Sequence, residues 1–254
     1  DEIKFIAFTG SRDVGKKIYE KIAKPGKRHF KVVPLLEMGG KDGIIVAEDA
    51  DLNLALEEVI KSAFGYQGQK CSACSRLIVE KSVYDKFLEM LVDATKKIKV
   101  GPVEFYENYM GAVINKKAEE KILRYIEIGK KEGKLLTGGK KVKDLEGYVI
   151  EPTIFADVDP DARIAQEEIF GPVLAVIKAE NFEDAIRIMN NTEYGLTASV
   201  FTTDKKKIEK AANEIDVGNL YFNRKCTGAL VYYHPFGGRN MSGIYKKAGG
   251  FDTL

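Results

Sequence analysis

Among 254 residues the sequence has two histidines and three cysteines. A structural zinc site needs four ligands at recognisable spacing, and Cys71, Cys74 and Cys226 with His29 and His234 do not form that pattern, so no metal is expected. An odd cysteine count in a chain this long argues against a disulfide framework and fits a reducing compartment, with the cytoplasm as the expected location. No apolar run approaches the roughly 18 residues that a membrane helix requires. Neither sign of charge dominates: 40 basic residues face 38 acidic ones, and the net charge of +2 marks no nucleic-acid or membrane surface. Internal repeats and low-complexity linkers are also missing. The sequence opens DEIKFIAFTG without an initiator methionine, and Phe5–Phe8 reads as a buried strand already under way, so a piece of a longer polypeptide is expected; a targeting segment would then be out of view, and the mitochondrial matrix stays open as a location.

What is present is alternation. Strand patterns at Ile3–Phe8, Val32–Leu36, Ile44–Val46, Arg76–Glu80, Lys134–Thr137, Tyr148–Phe155, Ser199–Thr202 and Asn219–Asn223 are interleaved with helical patterns. The helices read as Asp13–Ala23, Asp51–Phe64, Val83–Ile98 with Ser82 as its cap, Asn115–Lys131, Phe182–Asn190 and Asp204–Ile215. Such alternation predicts an α/β layered fold with a mostly parallel sheet. Lysine runs such as Lys205–Lys207 read as solvated helix faces.

One stretch breaks the pattern. In FGYQGQKCSACSR, Phe64–Arg76, glycines, glutamines and a lysine precede Cys71 and small residues follow it. A structural cysteine sits in an apolar run; Cys71 instead lies in a loop suited to close backbone approach, which points to a nucleophile. No histidine is credibly placed to serve it, and Glu37, at a strand end before Gly39 and Gly40, is the available base, although the same pattern suits a solvated glutamate before a turn. Gly10 and Ser11 in TGSRDVG form a strand-to-helix turn whose free amides suit a phosphate, and ordinary capping gives the same pattern. In QEEIFGPV, Glu168 and Phe170 precede a Gly-Pro turn, and Phe170 reads by itself as a core residue. The irregular segment Asn223–Gly250, with six glycines, reads as a functional loop.

FTGSRDVG, LEMGGK, GQKCSACSR, EEIFGPV and PFGG, in this order and at these intervals, resemble the NAD(P)-dependent aldehyde dehydrogenases over nearly the whole chain. Within that family GQKCSACSR, NRKCTGALV and HPFGGRNMSG resemble the 1-pyrroline-5-carboxylate dehydrogenase branch, which oxidises glutamate γ-semialdehyde to glutamate. The resemblance implies the family's catalytic domain at 39–241, the last βα part of a Rossmann-like cofactor domain at 1–38, and at 242–254 a tail leading to an oligomerisation segment. It implies Cys71 as nucleophile, its backbone N–H as an oxyanion donor, and Glu37 as base. It implies NAD as cofactor, with Gly10 and Ser11 near the pyrophosphate, Val14 near the adenine, Glu168 on the nicotinamide ribose and Phe170 beside the nicotinamide. It places Ser72, Gly228 and Ala229 at the substrate carboxylate, Phe236 against its stem and Lys70 beside the aldehyde. A small aldehyde is the expected partner and the parent protein a homo-oligomer. Tyr232 and Tyr233 are bulkier than the family pattern, and the residues completing the oxyanion hole and adenosine site would precede Asp1, so the chain alone is expected to bind NAD poorly. A cofactor-free thiol esterase and a catalytically silent scaffold are the rival readings.

Overall fold

The computed structural model describes residue 3 and residues 5–23, 33–244 and 247–248. His29, Val32, Gly249 and Gly250 lie outside the described residues. The first unit is β1 (Phe5–Thr9), α1 (Arg12–Ala23) and β2 (Val33–Glu37). Its two strands pair in parallel from Phe5↔Val33 to Thr9↔Glu37, in a sheet of their own. Gly15 is the buried residue of α1: a Cβ there would run into the Met38 side chain, so the helix lies close over the end of β2.

The chain then builds β3 (Gly43–Val46), α2 (Leu52–Phe64), β4 (Arg76–Glu80), α3 (Lys81–Lys96), α4 (Lys116–Glu132), β5 (Lys134–Thr137), β6 (Thr153–Ala156), α5 (Arg163–Gln166) and β7 (Val173–Ala179). It continues through α6 (Phe182–Asn190), β8 (Tyr194–Gly195), β9 (Thr197–Phe201), α7 (Lys205–Glu214), β10 (Asn219–Phe222) and β11 (Arg239–Asn240). Seven strands form one sheet in the order β10-β9-β3-β4-β7-β6-β5, parallel throughout except for β5 against β6. β3 and β4 are buried along their whole length, as apolar strands covered on both faces must be. Alternate residues feed two cores: Ile45, Ile78 and Val200 pack with Ile122, Ile126 and Ile186 of α4 and α6, and Ile44, Leu77 and Val176 pack with Val59 and Phe87 of α2 and α3.

Side-chain caps explain where several helices begin. Asp51 accepts from Asn53 N and Leu54 N, Asn115 from Ala118 N, and Asn181 from Asp184 N. Ser82 is not a cap: α3 starts at Lys81 directly off β4, with Glu80 at the boundary and no side-chain capping bond. The strand expected over Tyr148–Phe155 shortens to β6, because Pro152 has no N–H to give a ladder. Lys207 is not solvated either. Its ammonium bonds Asp49 at 3.1 Å and Glu80 at 3.2 Å. Asp49 also accepts from Thr202 Oγ1, Thr203 N and Asp204 N, which closes the carboxyl ends of β3 and β9 with a carboxylate from the chain itself.

Candidate active site

The site forms at the amino ends of β3 and β4, which are parallel neighbours with Gly43 opposite Arg76. Glu37–Asp42 leads into β3 and Cys71–Ser75 into β4, so strand pairing alone brings the two motifs together. Asp42 O accepts from both Ser75 N (3.0 Å) and Arg76 N (3.1 Å), locking the register just ahead of the strands. Arg76, fully buried, donates to Lys41 O at 2.9 Å and, across the sheet end, to Ile188 O and Met189 O at 2.9 and 2.8 Å.

Two glycines of the Glu37 motif explain how close the pieces come. A Cβ on Gly39 would lie 2.5 Å from Glu168 Oε2, and one on Gly40 would overlap both the Cys71 carbonyl and the Asp42 carboxylate. Gly40 N donates to Glu168 Oε1 at 3.1 Å. On the other side a Cβ on Gly68 would strike Gly171 O, so the Cys71 loop and the Glu168 loop also touch. Glycine at these positions is a packing requirement.

Electrostatics at the site are unusual. Glu37 is 8% exposed, and neither carboxylate oxygen has a hydrogen-bond partner among the described residues. Burial raises its pKa to about 7, against a smaller opposing effect of the Lys247 charge. The solvated-glutamate reading is therefore wrong: the end of β2 is covered by the Ser242–Gly243 turn, with Glu37 bridged to Gly243 and Met38 N donating to Ser242 O. The Cys71 thiol is raised to about 11, first by burial, then by the charges of Asp42, Glu37 and Glu168, while Ser72 N–H donates to the sulfur. Burial also raises Asp42 to about 7 and lowers Lys41 to about 7. Glu37, Lys41 and Asp42 are thus brought to exchange protons near neutral pH, while the Cys71 thiol keeps its own there until a base takes it.

A cavity of about 820 Å³ opens over the thiol. Gly10, Ser11, Cys71, Glu168 and Phe170 line it, as do Lys117, Lys121 and Arg124 of α4. Phe170 is 40% exposed with φ 61°, so it is not a core residue; the left-handed backbone before the Gly-Pro turn swings its ring out into the cavity. Val14 is 45% exposed on α1 and does not line the cavity. Gly228, Ala229 and Phe236 do not line it either. Their segment reaches the site through Cys226, whose thiol donates to Ser72 O at 3.4 Å. Lys70 lies on a neighbouring cleft with Gly68 and Glu168, and Ser72 is buried. Among the described residues no cluster suits a metal, and no helix is long and apolar enough to cross a membrane.

The structure adds residues that the sequence reading passed over. Asp42 and Lys41 follow Glu37 directly but look like an ordinary charged turn. The cations of α4 carried a readable signal, since Lys117, Lys121 and Arg124 recur at three- and four-residue steps and so share one helix face.

The sequence profile of the aldehyde dehydrogenase family matches residues 1–254. The chain belongs to the aldehyde dehydrogenase family. Among its relatives in that family, a 1-pyrroline-5-carboxylate dehydrogenase from Geobacillus sp. (strain WCH70) is 58% identical over 253 residues, covering 99% of this chain and 49% of the relative. The enzyme of that name from Bacillus subtilis (strain 168) is 55% identical, again over 99% of this chain and 49% of its own length. The crystal structure of a Thermus 1-pyrroline-5-carboxylate dehydrogenase with bound NAD superposes with a TM-score of 0.94 at 50% identity, covering 98% of this chain and 48% of that one. This aldehyde dehydrogenase chain thus spans about half the length of the relatives it matches, and its layered, mostly parallel sheet is the fold of that family.

Proposed function

We propose that Cys71 is the nucleophile and Glu37 the general base of an NAD-dependent oxidation of L-glutamate γ-semialdehyde, the open form of 1-pyrroline-5-carboxylate, to L-glutamate, a step of proline catabolism. The observation that carries this reading is the buried, unpartnered Glu37 carboxyl, near-neutral in pKa, beside a cysteine that opens into a cavity.

The residues present fit the cofactor. Gly10 and Ser11 precede the amino end of α1 where a pyrophosphate gains from free amides. Glu168, half-buried and lining the cavity, suits ribose hydroxyls, Phe170 suits the nicotinamide face, and Val14 on α1 suits the adenine edge. NAD, when bound, supplies the hydride acceptor. The chain's own work is to pass the Cys71 proton to Glu37 as the sulfur bonds the aldehyde carbon. The Cys71 N–H, which has no protein acceptor among the described residues, steadies the oxygen that becomes negative. Once the carbon is at the acyl level it is held as a thioester on Cys71; Glu37, having released the first proton to solvent, takes one from the water that opens the thioester and returns it to the departing sulfur, so that the acid leaves and the thiol is restored.

For the substrate, Ser72 with the amides of Gly228 and Ala229 would take the α-carboxylate, Phe236 the methylene stem, and Lys70 the aldehyde end; the Cys226–Ser72 contact supports a loop that closes on that side. The β1–α1–β2 unit up to residue 38 is read as the last βα part of the cofactor domain, 39–241 as the catalytic domain, and 242–254 as a tail toward an oligomerisation segment of a cytoplasmic homo-oligomer. NADH formation from the semialdehyde, by this chain alone and by this chain mixed with the N-terminal half of the Geobacillus relative, tests the proposal. Activity in the mixture that disappears with Cys71→Ala is expected; activity that survives Cys71→Ala, or none in a mixture shown to be associated, overturns it. Cys71 and Glu37 also suffice for a thiol esterase, since both lie on this chain and acyl transfer needs no cofactor.

A further inference from the structure

Tyr66, Gln67 and Gly68 stand in succession in the left-handed region, at φ 58°, 57° and 65°. Glycine accepts that conformation freely, whereas tyrosine and glutamine each give up about 1–2 kcal/mol. Consecutive strained residues persist only where their surroundings over-determine them. Here the constraint is visible. Gln67 is 8% exposed, and in the amide orientation that satisfies both its groups its nitrogen donates to Tyr66 O at 2.8 Å while its oxygen accepts from Gly111 N at 2.6 Å. Gln69 N donates to the same Tyr66 O at 3.0 Å, and Gln69 Oε1 accepts from Ile114 N at 2.9 Å. Gly111 permits the approach, since a Cβ there would overlap Val103 and press on the Gln67 amide. Ile114 lines the cavity and immediately precedes Asn115, the cap of α4.

We propose that Gln67 and Gln69 are positioning residues for Cys71: their side-chain amides fasten the left-handed turn that carries the nucleophile to the segment entering α4, fixing the sulfur relative to the helix that walls the cavity. This rests on the reading of Cys71 as nucleophile. The turn has little else of its own, because a reversal of this kind in a loop lacks a repeating ladder; the bonds of the buried Gln67 amide are costly to leave unmade, and the Gln69 bond to Ile114 N ties the turn at its more exposed edge. Gln69 acts here only as an acceptor, so glutamate in its place can still receive Ile114 N–H. Gln67 must both donate and accept, which glutamate cannot do.

The test is the rate at which iodoacetamide modifies each cysteine of the 254-residue chain at about pH 7.5, resolved by peptide mass mapping. A released turn exposes Cys71, moving its thiol from about 11 toward an ordinary value near 8.5. The thiolate fraction then rises roughly 300-fold while the lower intrinsic nucleophilicity takes back about tenfold, so Gln69→Met and Gln67→Leu should speed Cys71 modification by on the order of tenfold or more. Cys74 and Cys226, both buried, should stay unmodified in these variants. Gln69→Glu should react at the wild-type rate or below, because it keeps the acceptor and its charge disfavours the thiolate. Unchanged Cys71 rates in Gln69→Met and Gln67→Leu, a Gln69→Glu variant as fast as Gln69→Met, or modification of Cys74 and Cys226 in step with Cys71 overturns the proposal. The nucleophile reading fails separately, if acyl transfer from an activated ester survives Cys71→Ala.

Discussion

Glu37→Gln should make the protein more stable at alkaline pH and no more stable in mild acid. The carboxyl is nearly isosteric with the amide, and its pKa in the folded protein is about 7 against 4.5 for an ordinary glutamate. The folded state therefore holds this proton more tightly than the unfolded chain does. Whatever stability the protonated group allows is fully present below about pH 4.5 and is lost as pH rises through about 7, beyond which the loss is constant. At about 1.4 kcal/mol per pH unit, that span sets a penalty of about 3 kcal/mol above neutrality, falling to about 0.8 kcal/mol at pH 5 and toward zero below about pH 4. For a chain of this size 3 kcal/mol is worth roughly 6–12 °C in Tm. Thermal unfolding of wild type and Glu37→Gln, followed by circular dichroism at about pH 5 and about pH 8, reads the effect as a difference of differences. Any fixed cost of burying the amide cancels between the two pH values. A Tm gap between the two proteins that is the same at both would refute the argument that Glu37 is held as a buried, unpaired carboxyl.

Arg76→Met should cost about 3–5 kcal/mol in urea unfolding, because Lys41 O, Ile188 O and Met189 O lose their donor inside the protein. Arg76→Lys should not restore it, since an ammonium cannot span three carbonyls fixed around a planar guanidinium. Asp49→Asn should destabilise by about 1–3 kcal/mol at neutral pH. Hydrogen bonds from Thr202 and Thr203 and the Lys207 ammonium overcome the effect of burial and hold this carboxyl well below the usual range. Its stabilisation is therefore present above about pH 4 and lost as pH falls through the folded value, so the Asp49→Asn deficit should shrink in strong acid.

The layered fold was legible because its signals are local and mutually consistent: apolar runs in β3 and β4 alternate with the helical patterns of α2, α4 and α6. Where it failed, a backbone fact outweighed the pattern, as with Pro152 ending the reach of β6 and Glu80 passing straight from strand into helix. Phe170 reads as core from its side chain alone, whereas the resemblance sets it beside the nicotinamide, and its positive φ shows why it faces the cavity. The motif around Cys71 could be found from its oddity. The burial of Glu37, Lys41 and Asp42 could not, because burial of a charged run depends on which distant segments fold over it, here the Ser242 turn and the Glu168 loop.

The position of the site at the amino ends of the strands also has a physical basis. In open α/β sheets the crevice beyond the carboxyl ends is the usual place for a ligand, at the point where successive connections leave in opposite directions. In this sheet β3 connects to β4 on one side while its other neighbour, β9, leads on to β10. In that crevice Asp49 is bonded to Thr202, Thr203, Asp204 and Lys207, and Lys207 is also held by Glu80, so the charged groups there are already paired with one another. At the opposite ends the space that Gly39 and Gly40 leave is what Glu168, Asp42 and the Cys71 carbonyl occupy, and Gly68 lets the Gly171 carbonyl come close. A side chain on Gly40 would drive Cys71 and Asp42 apart, so Gly40→Ala should cost about 1–3 kcal/mol from overpacking. It should also sharply reduce acyl transfer to Cys71 from an activated ester, even in protein that remains folded by circular dichroism. Folded Gly40→Ala protein with wild-type acyl transfer would show that the close approach of the two motifs is not what prepares the thiol.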